Sequence, residues 1–121
     1  MPNPITHFEI VAKDAKKSQE FYKGVFGWDV NANNPMNYGI VDTQTGRGIN
    51  GGITGAAPGM PAMVTVYVEV DDLQPYLNKV QRLGGRTLVP PTVVPGMVTF
   101  ALFADPEGNA VGLVKSEQAA T

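Results

Sequence analysis

Apolar and polar side chains alternate from Ile5 to Val11, with Phe8 and Ile10 on one side and His7, Glu9 and Val11 on the other. That is the pattern of a half-buried strand. Asp14 then stands where a helix N-cap is wanted. Phe21, Tyr22, Val25 and Phe26 form an apolar stripe at helical spacing, and Gly27 suits a left-handed helix exit. Trp28 to Val30 predicts a second strand, and Asn31 to Pro35 is turn chemistry. Asn37 to Asp42 and Gly48 to Ile53 predict two more strands, joined by the turn Thr43-Gln44-Thr45-Gly46. Further on, Val64, Val66, Val68 and Val70 share one strand face, and Thr65, Tyr67 and Glu69 share the other. Asp71 or Asp72 caps the next helix, and Pro75 falls in its first turn, where a missing N–H does no harm. Leu73, Tyr76, Leu77, Val80 and Leu83 make its buried stripe, closed by Gly84-Gly85. Strands follow at Arg86 to Val89, Val98 to Ala104 and Asn109 to Lys115. Between the last two, Asp105-Pro106-Glu107-Gly108 suits a type I turn.

The pattern is therefore stated twice. Residues 5–27 and 63–85 each read as strand, acidic cap, amphipathic helix and glycine exit. His7 lies seven residues before Asp14, and Thr65 lies seven before Asp72. An internal repeat of this kind predicts the architecture directly. The fold class is α+β, built from two βαβββ modules at about 4–53 and 63–116, with the linker TGAAPGMPA at 54–62 between them. Each half has one helix to cover its sheet, so residues 1–121 read as a single domain.

Composition narrows the function. The chain has 121 residues, 43% apolar and 17% charged, with a formal net charge of −2. Its basic residues are scattered, and Lys16, Lys17 and Lys23 read as a solvated helix face, so no nucleic-acid partner is expected. There is no cysteine, which excludes disulfides, thiolate metal sites and cysteine nucleophiles. The apolar stretch around Met63 to Val70 is too short to span a bilayer, so no membrane partner is expected. Met-Pro-Asn-Pro has neither a basic start nor an apolar core, and the expected location is cytoplasmic.

HFEI in the first strand, FYKGVFGW at the first helix exit, YVEVDDL at the start of the second module, LGG at the second helix exit and DPEGN before the last strand occur in this order. Together they resemble the vicinal oxygen chelate superfamily, which includes glyoxalase I, extradiol dioxygenases, and fosfomycin and bleomycin resistance proteins. The resemblance covers nearly the whole chain. It implies a half-open, cup-like mixed sheet with the helices outside, a ligand site on the concave wall, and a homodimer. Fold alone does not assign an activity. The wall is the face opposite the helices, presenting His7 and Glu9 in one module and Thr65, Tyr67 and Glu69 in the other.

Metal-using members of that superfamily carry ligands on the first and last strands of each module. His7 matches the first position, but its counterpart is Thr65, a poor ligand. The last strand of the second module normally has a glutamate four residues past the turn glycine, and here that position is Gly112. The last strand of the first module offers Asn50, Gly51, Gly52 and Ile53, with a glycine at the ligand position. One ligand of four remains, against about three needed for a catalytic Zn²⁺. No metal or other cofactor is expected, and a displaced site from His7, Glu9 and Glu69 is the disfavoured alternative.

His7 is the only histidine and the only side chain whose unperturbed pKa lies near neutrality. It is a candidate general base oriented by Glu9 or Glu69, or else a polar wall residue. Tyr67 contacts a ligand or fills space. Trp28 reads as packing or an interface, and Phe100 and Phe103 fall on opposite faces of one strand. Gly46, Gly48, Gly51 and Gly52 are not a phosphate cradle, because no Gly-Lys-Ser/Thr and no helix follow. Three functions fit. The first is binding of a small apolar or aromatic molecule by His7, Glu9, Thr65, Tyr67, Glu69 and Gly112 without the family metal. The second is a metal-independent or atypical-metal lyase or isomerase using His7 and Glu9 as catalytic residues for proton transfer. The third is an assembly module with a vestigial pocket.

Overall fold

The structure is a computed structural model that describes residues 2–43 and 45–115; Gln44 of the expected 43–46 turn and Ser116 of the second module lie outside the described residues. Ten elements follow in chain order: β1 (Ile5–Ala12), α1 (Ala15–Phe26), β2 (Asp29–Asn31), β3 (Gly39–Asp42), β4 (Gly51–Gly55), β5 (Met63–Val70), α2 (Leu73–Arg82), β6 (Arg86–Val94), β7 (Val98–Ala104) and β8 (Ala110–Lys115). The α+β, βαβββ-twice order is the expected one. The described residues divide into two compact units, one within His7–Thr65, the other formed by residues 2–6 and 66–115.

In the first unit the strand order is β2-β3-β4-β1. β1 runs parallel to β4, and β3 pairs antiparallel with both β2 and β4. The helix-side core is Ile10, Val41 and Ile53, with Phe8, Tyr22, Trp28 and Val30 packed against it. α1 begins as expected: the Asp14 carboxylate accepts a hydrogen bond from the Lys17 N–H at 3.1 Å. It ends at Gly27, whose φ of 71° is left-handed and whose N–H reaches the Lys23 carbonyl at 2.9 Å.

Of the apolar stripe of α1, Tyr22 turns inward and packs against the core of the unit. Phe21 is 60% and Phe26 59% exposed, and Val25 is exposed as well. The half-buried positions are Ala15, Ser18, Gln19 and Tyr22, which recur at helical spacing and form the face turned inward. Gln19 Nε2 donates to the Ile53 carbonyl of β4 at 2.9 Å. A Cβ on Gly39 would lie 2.6 Å from that Gln19 amide. Ala15, Ser18 and Gln19 thus admit the helix closely on a glycine-bearing sheet, Tyr22 packs beside them, and Phe21, Val25 and Phe26 are turned aside. Trp28 packs within the unit, its ring centroid 5.8 Å from Tyr22 and 5.5 Å from Phe8.

In the second unit the order is β5-β8-β7-β6, with β5 parallel to β8 and the other pairs antiparallel. Val70, Leu73, Leu77, Ala101 and Leu113 are its core, with Val68, Tyr76 and Phe103 against them. Asp72 is the N-cap of α2 by position, but its side chain makes no cap bond. Leu83 was expected in the buried stripe and is 73% exposed, because the helix ends at Arg82 and Gly84, with φ 102°, turns the chain away. β6 does not stop at Val89. It runs on through Pro90 and Pro91 to Val94, with register shifts on either side of Val89, as an edge strand tolerates residues lacking an N–H. The 105–108 turn closes through Gly108 N–H to the Asp105 carbonyl at 2.9 Å. Hydrogen bonds to its carboxylate, from the Asn109 side chain first, hold the Asp105 pKa below the ordinary value.

Candidate functional site

Each unit carries a sheet face opposite its helix. In the first unit this face is set by parity. β1 pairs Glu9 with Gly52, and β3 pairs Ile40 with Gly52, so Glu9, Gly52 and Ile40 share one side while Ile10, Ile53 and Val41 share the other. His7, two residues before Glu9, and Tyr38, two before Ile40, fall on the same side.

Three of these side chains form a chain of hydrogen bonds. The Tyr38 hydroxyl donates to Glu9 Oε2 at 2.8 Å and lies 2.9 Å from His7 Nε2. A hydroxyl carries one hydrogen. With that hydrogen given to Glu9, the Tyr38 oxygen accepts from His7, whose Nε2 then bears the proton. The two rings stack, with centroids 6.3 Å apart and an interplanar angle of 22°. Burial holds the His7 pKa below the ordinary value of 6.5, because desolvation disfavours the imidazolium.

Tyr38 was not singled out from the sequence, and its place is made by local chemistry. The Asn34 side chain accepts from the Tyr38 N–H at 2.9 Å and donates to the Tyr38 carbonyl at 2.7 Å. Asn37 takes a φ of 53° between them, a conformation that asparagine tolerates better than most residues. The available signal was an aromatic residue beside a strand that faces Gly-Gly, since a large ring often covers a glycine on a neighbouring strand.

The second unit repeats the motif with different atoms. Tyr67 of β5 pairs with Gly112 of β8, as Glu9 of β1 pairs with Gly52 of β4. The Tyr67 ring meets Phe100 edge-on with centroids 6.4 Å apart, and Phe103 turns to the core. Phe100 and Phe103 thus divide as the strand parity requires. Tyr67 is 6% exposed and Thr65 5%, and Val64, on the opposite strand face from both, is exposed. Glu69 is half-buried, and its N–H bonds the Pro4 carbonyl at 2.9 Å.

The glycines at the two family ligand positions are not empty spaces. A Cβ built on Gly52 would lie 2.0 Å from the Tyr38 hydroxyl oxygen, and one on Gly112 would lie 2.3 Å from a Tyr67 ring carbon. Each glycine has a tyrosine ring in the volume a longer side chain would use. Of the residues at the four family ligand positions, His7, Thr65, Gly52 and Gly112, His7 alone is a strong ligand. Among the described residues no three His, Asp or Glu side chains are grouped to hold a metal ion. Among the same residues no helix is long and apolar enough to cross a membrane.

Comparison with known proteins agrees with this architecture. Residues 4–113 match the profile of the Glyoxalase/Bleomycin resistance protein/Dioxygenase superfamily. The anthracycline biosynthesis protein DnrV of Streptomyces peucetius is 29% identical over 127 residues, covering 90% of this chain and 46% of DnrV. A glyoxylase-like domain-containing protein of Didymella fabae is 30% identical, with 87% of this chain and 88% of that protein covered. The chain spans less than half the length of the Streptomyces and Mycobacterium relatives it matches. Among solved structures, a superfamily member from Vibrio splendidus 12B01 superposes with a TM-score of 0.63 at 16% identity, over 95% of this chain and 100% of that one. The chain belongs to the Glyoxalase/Bleomycin resistance protein/Dioxygenase superfamily and has its fold.

Proposed function

We propose that this superfamily member binds a small apolar or aromatic molecule on the sheet faces opposite its helices, without the family metal. One observation carries the reading: where metal-using members place a glutamate, this chain has Gly52 covered by Tyr38 and Gly112 covered by Tyr67. A carboxylate there attracts a cation, whereas a tyrosine offers a flat apolar face with a polar tip. Ile40, 46% exposed beside Gly52, adds apolar surface to the first unit. In that unit His7 and Glu9 supply the polar contacts, and Thr65 is a buried neighbour in sequence to the second unit's positions Tyr67, Glu69 and Gly112. The similarity to a protein named for anthracycline biosynthesis supports a small-molecule ligand. A homodimer and a cytoplasmic location belong to the same proposal. Light scattering on the purified protein tests the first, and fractionation of the source cells tests the second.

The test is metal content by plasma mass spectrometry, on protein purified without chelator and reloaded with Zn²⁺, Ni²⁺, Mn²⁺ and Fe²⁺, followed by amide NMR during titration with aromatic compounds. Substoichiometric metal and shifts at Gly52 or Gly112 are expected. A stoichiometric metal lost in His7→Ala sinks the reading.

A second reading is favoured by the His7–Tyr38–Glu9 chain itself. A neutral imidazole and a carboxylate joined through one hydroxyl suit proton transfer next to a carbonyl, as in a metal-independent lyase or isomerase. Turnover of any carbonyl substrate that disappears in both His7→Ala and Tyr38→Phe would support it. Turnover retained in both would exclude it.

A further inference from the structure

The geometry points to a hydroxyl-reading slot in the first unit, made by His7, Glu9 and Gly52, in which Tyr38 is a resident occupant that a phenolic or enolic ligand displaces. The inference rests on the binding reading above and names the ligand class for that site.

The hydrogen count makes the slot selective. A group seated between Nε2–H of His7 and the Glu9 carboxylate, 2.9 and 2.8 Å away, has to accept from one and donate to the other through a single atom. A hydroxyl does this. A carbonyl or ether oxygen sets acceptor against acceptor at Glu9, and an ammonium sets donor against donor at His7. The more acidic the hydroxyl, the stronger its bond to a carboxylate, which favours a phenol or enol over an alkyl alcohol.

The slot is also flat. It exists because Gly52 has no side chain: the built Cβ would sit 2.0 Å from the Tyr38 oxygen and 2.1 Å from its ring carbons. A planar ring therefore fits where a branched aliphatic group would not. Tyr38 is placed to leave. It lies outside β3, which begins at Gly39, and its backbone N–H and carbonyl are held by the Asn34 side chain. Rotation of the ring about χ1 leaves both of those bonds and the β3–β4 pairing intact. Met36 and Ile40, two residues to either side, are exposed apolar side chains. They offer apolar surface to the body of a larger ligand.

His7 is the only histidine, so its ring signals in an NMR spectrum are unique. Wild-type protein is titrated with 2-naphthol and with 2-methoxynaphthalene. In parallel, Tyr38→Ala is titrated with p-cresol, toluene and 4-methylanisole. In the wild type, 2-naphthol is expected to move the His7 and Tyr38 ring signals, and the methoxy compound is not. In Tyr38→Ala, where the resident competitor is gone, p-cresol is expected to bind about tenfold or more tighter than toluene or 4-methylanisole, and tighter than it binds wild type. Equal binding of hydroxyl and methoxy compounds overturns the slot while leaving the binding reading standing. So do shifts at Gly112 with His7 unmoved. If none of the aromatic compounds binds wild type or variant, both fail. The wild-type titration needs no variant to fold.

Discussion

Gly112→Ala tests whether a tyrosine ring has replaced the family ligand, and theory gives it an unusual sign. Gly112 has an ordinary strand conformation and no positive φ. In such a place alanine normally stabilises by roughly 0.5–1 kcal/mol, because glycine loses more chain entropy on folding. Here the new Cβ would stand 2.3 Å from Tyr67 Cδ2 and 2.4 Å from Cε2. Ordinary carbon contacts begin near 3.5 Å, so the ring has to retreat by about 1 Å. Tyr67 is 6% exposed and meets Phe100 edge-on, which limits where it goes. Overpacking of this kind costs about 1–3 kcal/mol, which outweighs the entropic gain. The net expectation is a loss of about 1–2 kcal/mol, or a fall in Tm of roughly 3–10 °C for a chain of this size. Urea unfolding of Gly112→Ala, Tyr67→Ala and the double variant measures it. Tyr67→Ala alone should cost about 3–5 kcal/mol through the cavity it leaves. In the double variant the alanine finds room and the overpacking strain is relieved, so the two losses should fall short of additivity by about 1–3 kcal/mol. A neutral or stabilising Gly112→Ala, or strict additivity, would refute the packing argument and with it the claim that Tyr67 excludes a carboxylate at this position.

Other expectations are simpler. Asp14→Ala removes the cap to Lys17 N–H and should cost about 1 kcal/mol by urea unfolding, with Asp14→Ser recovering most of it. Asn34→Ala removes the two Asn34 bonds to the Tyr38 backbone, and should lose about 1–2 kcal/mol and broaden the Tyr38 ring signals. His7 has a folded pKa below its unfolded value near 6.5, so the unfolded chain binds the proton more readily. Its contribution to stability is complete above pH 6.5 and is lost as pH falls through the lowered folded value. His7→Gln should flatten that part of the pH profile, and an unchanged slope would refute the assignment.

Much of the fold was legible because it is local. The strand alternation at Ile5–Val11, the Asp14 cap, the Gly27 exit and the Asp105–Gly108 turn depend on residues within a few positions of one another. The twofold repetition of that pattern predicted the βαβββ order. His7 and Glu9 were legible as neighbours on one strand face for the same reason, since side-chain parity along a strand needs no knowledge of the partner strand.

What local pattern did not contain was register and docking. Tyr38 joins His7 and Glu9 from 31 and 29 residues away, and nothing near Tyr38 announces that β3 and β4 will pair so as to lay its ring across Gly52. Hydrophobicity marked Phe21, Tyr22, Val25 and Phe26 on α1, but only Tyr22 of these turns inward, beside Ala15, Ser18 and Gln19, where the helix approaches Gly39 and the Ile53 carbonyl. β6 passes through Pro90 and Pro91 because it pairs on one side with β7 alone, and edge position is a property of the whole sheet. Side-chain periodicity is written in the chain by backbone geometry; which surfaces meet is decided by packing between segments distant in sequence, and the site of this protein is made of such meetings.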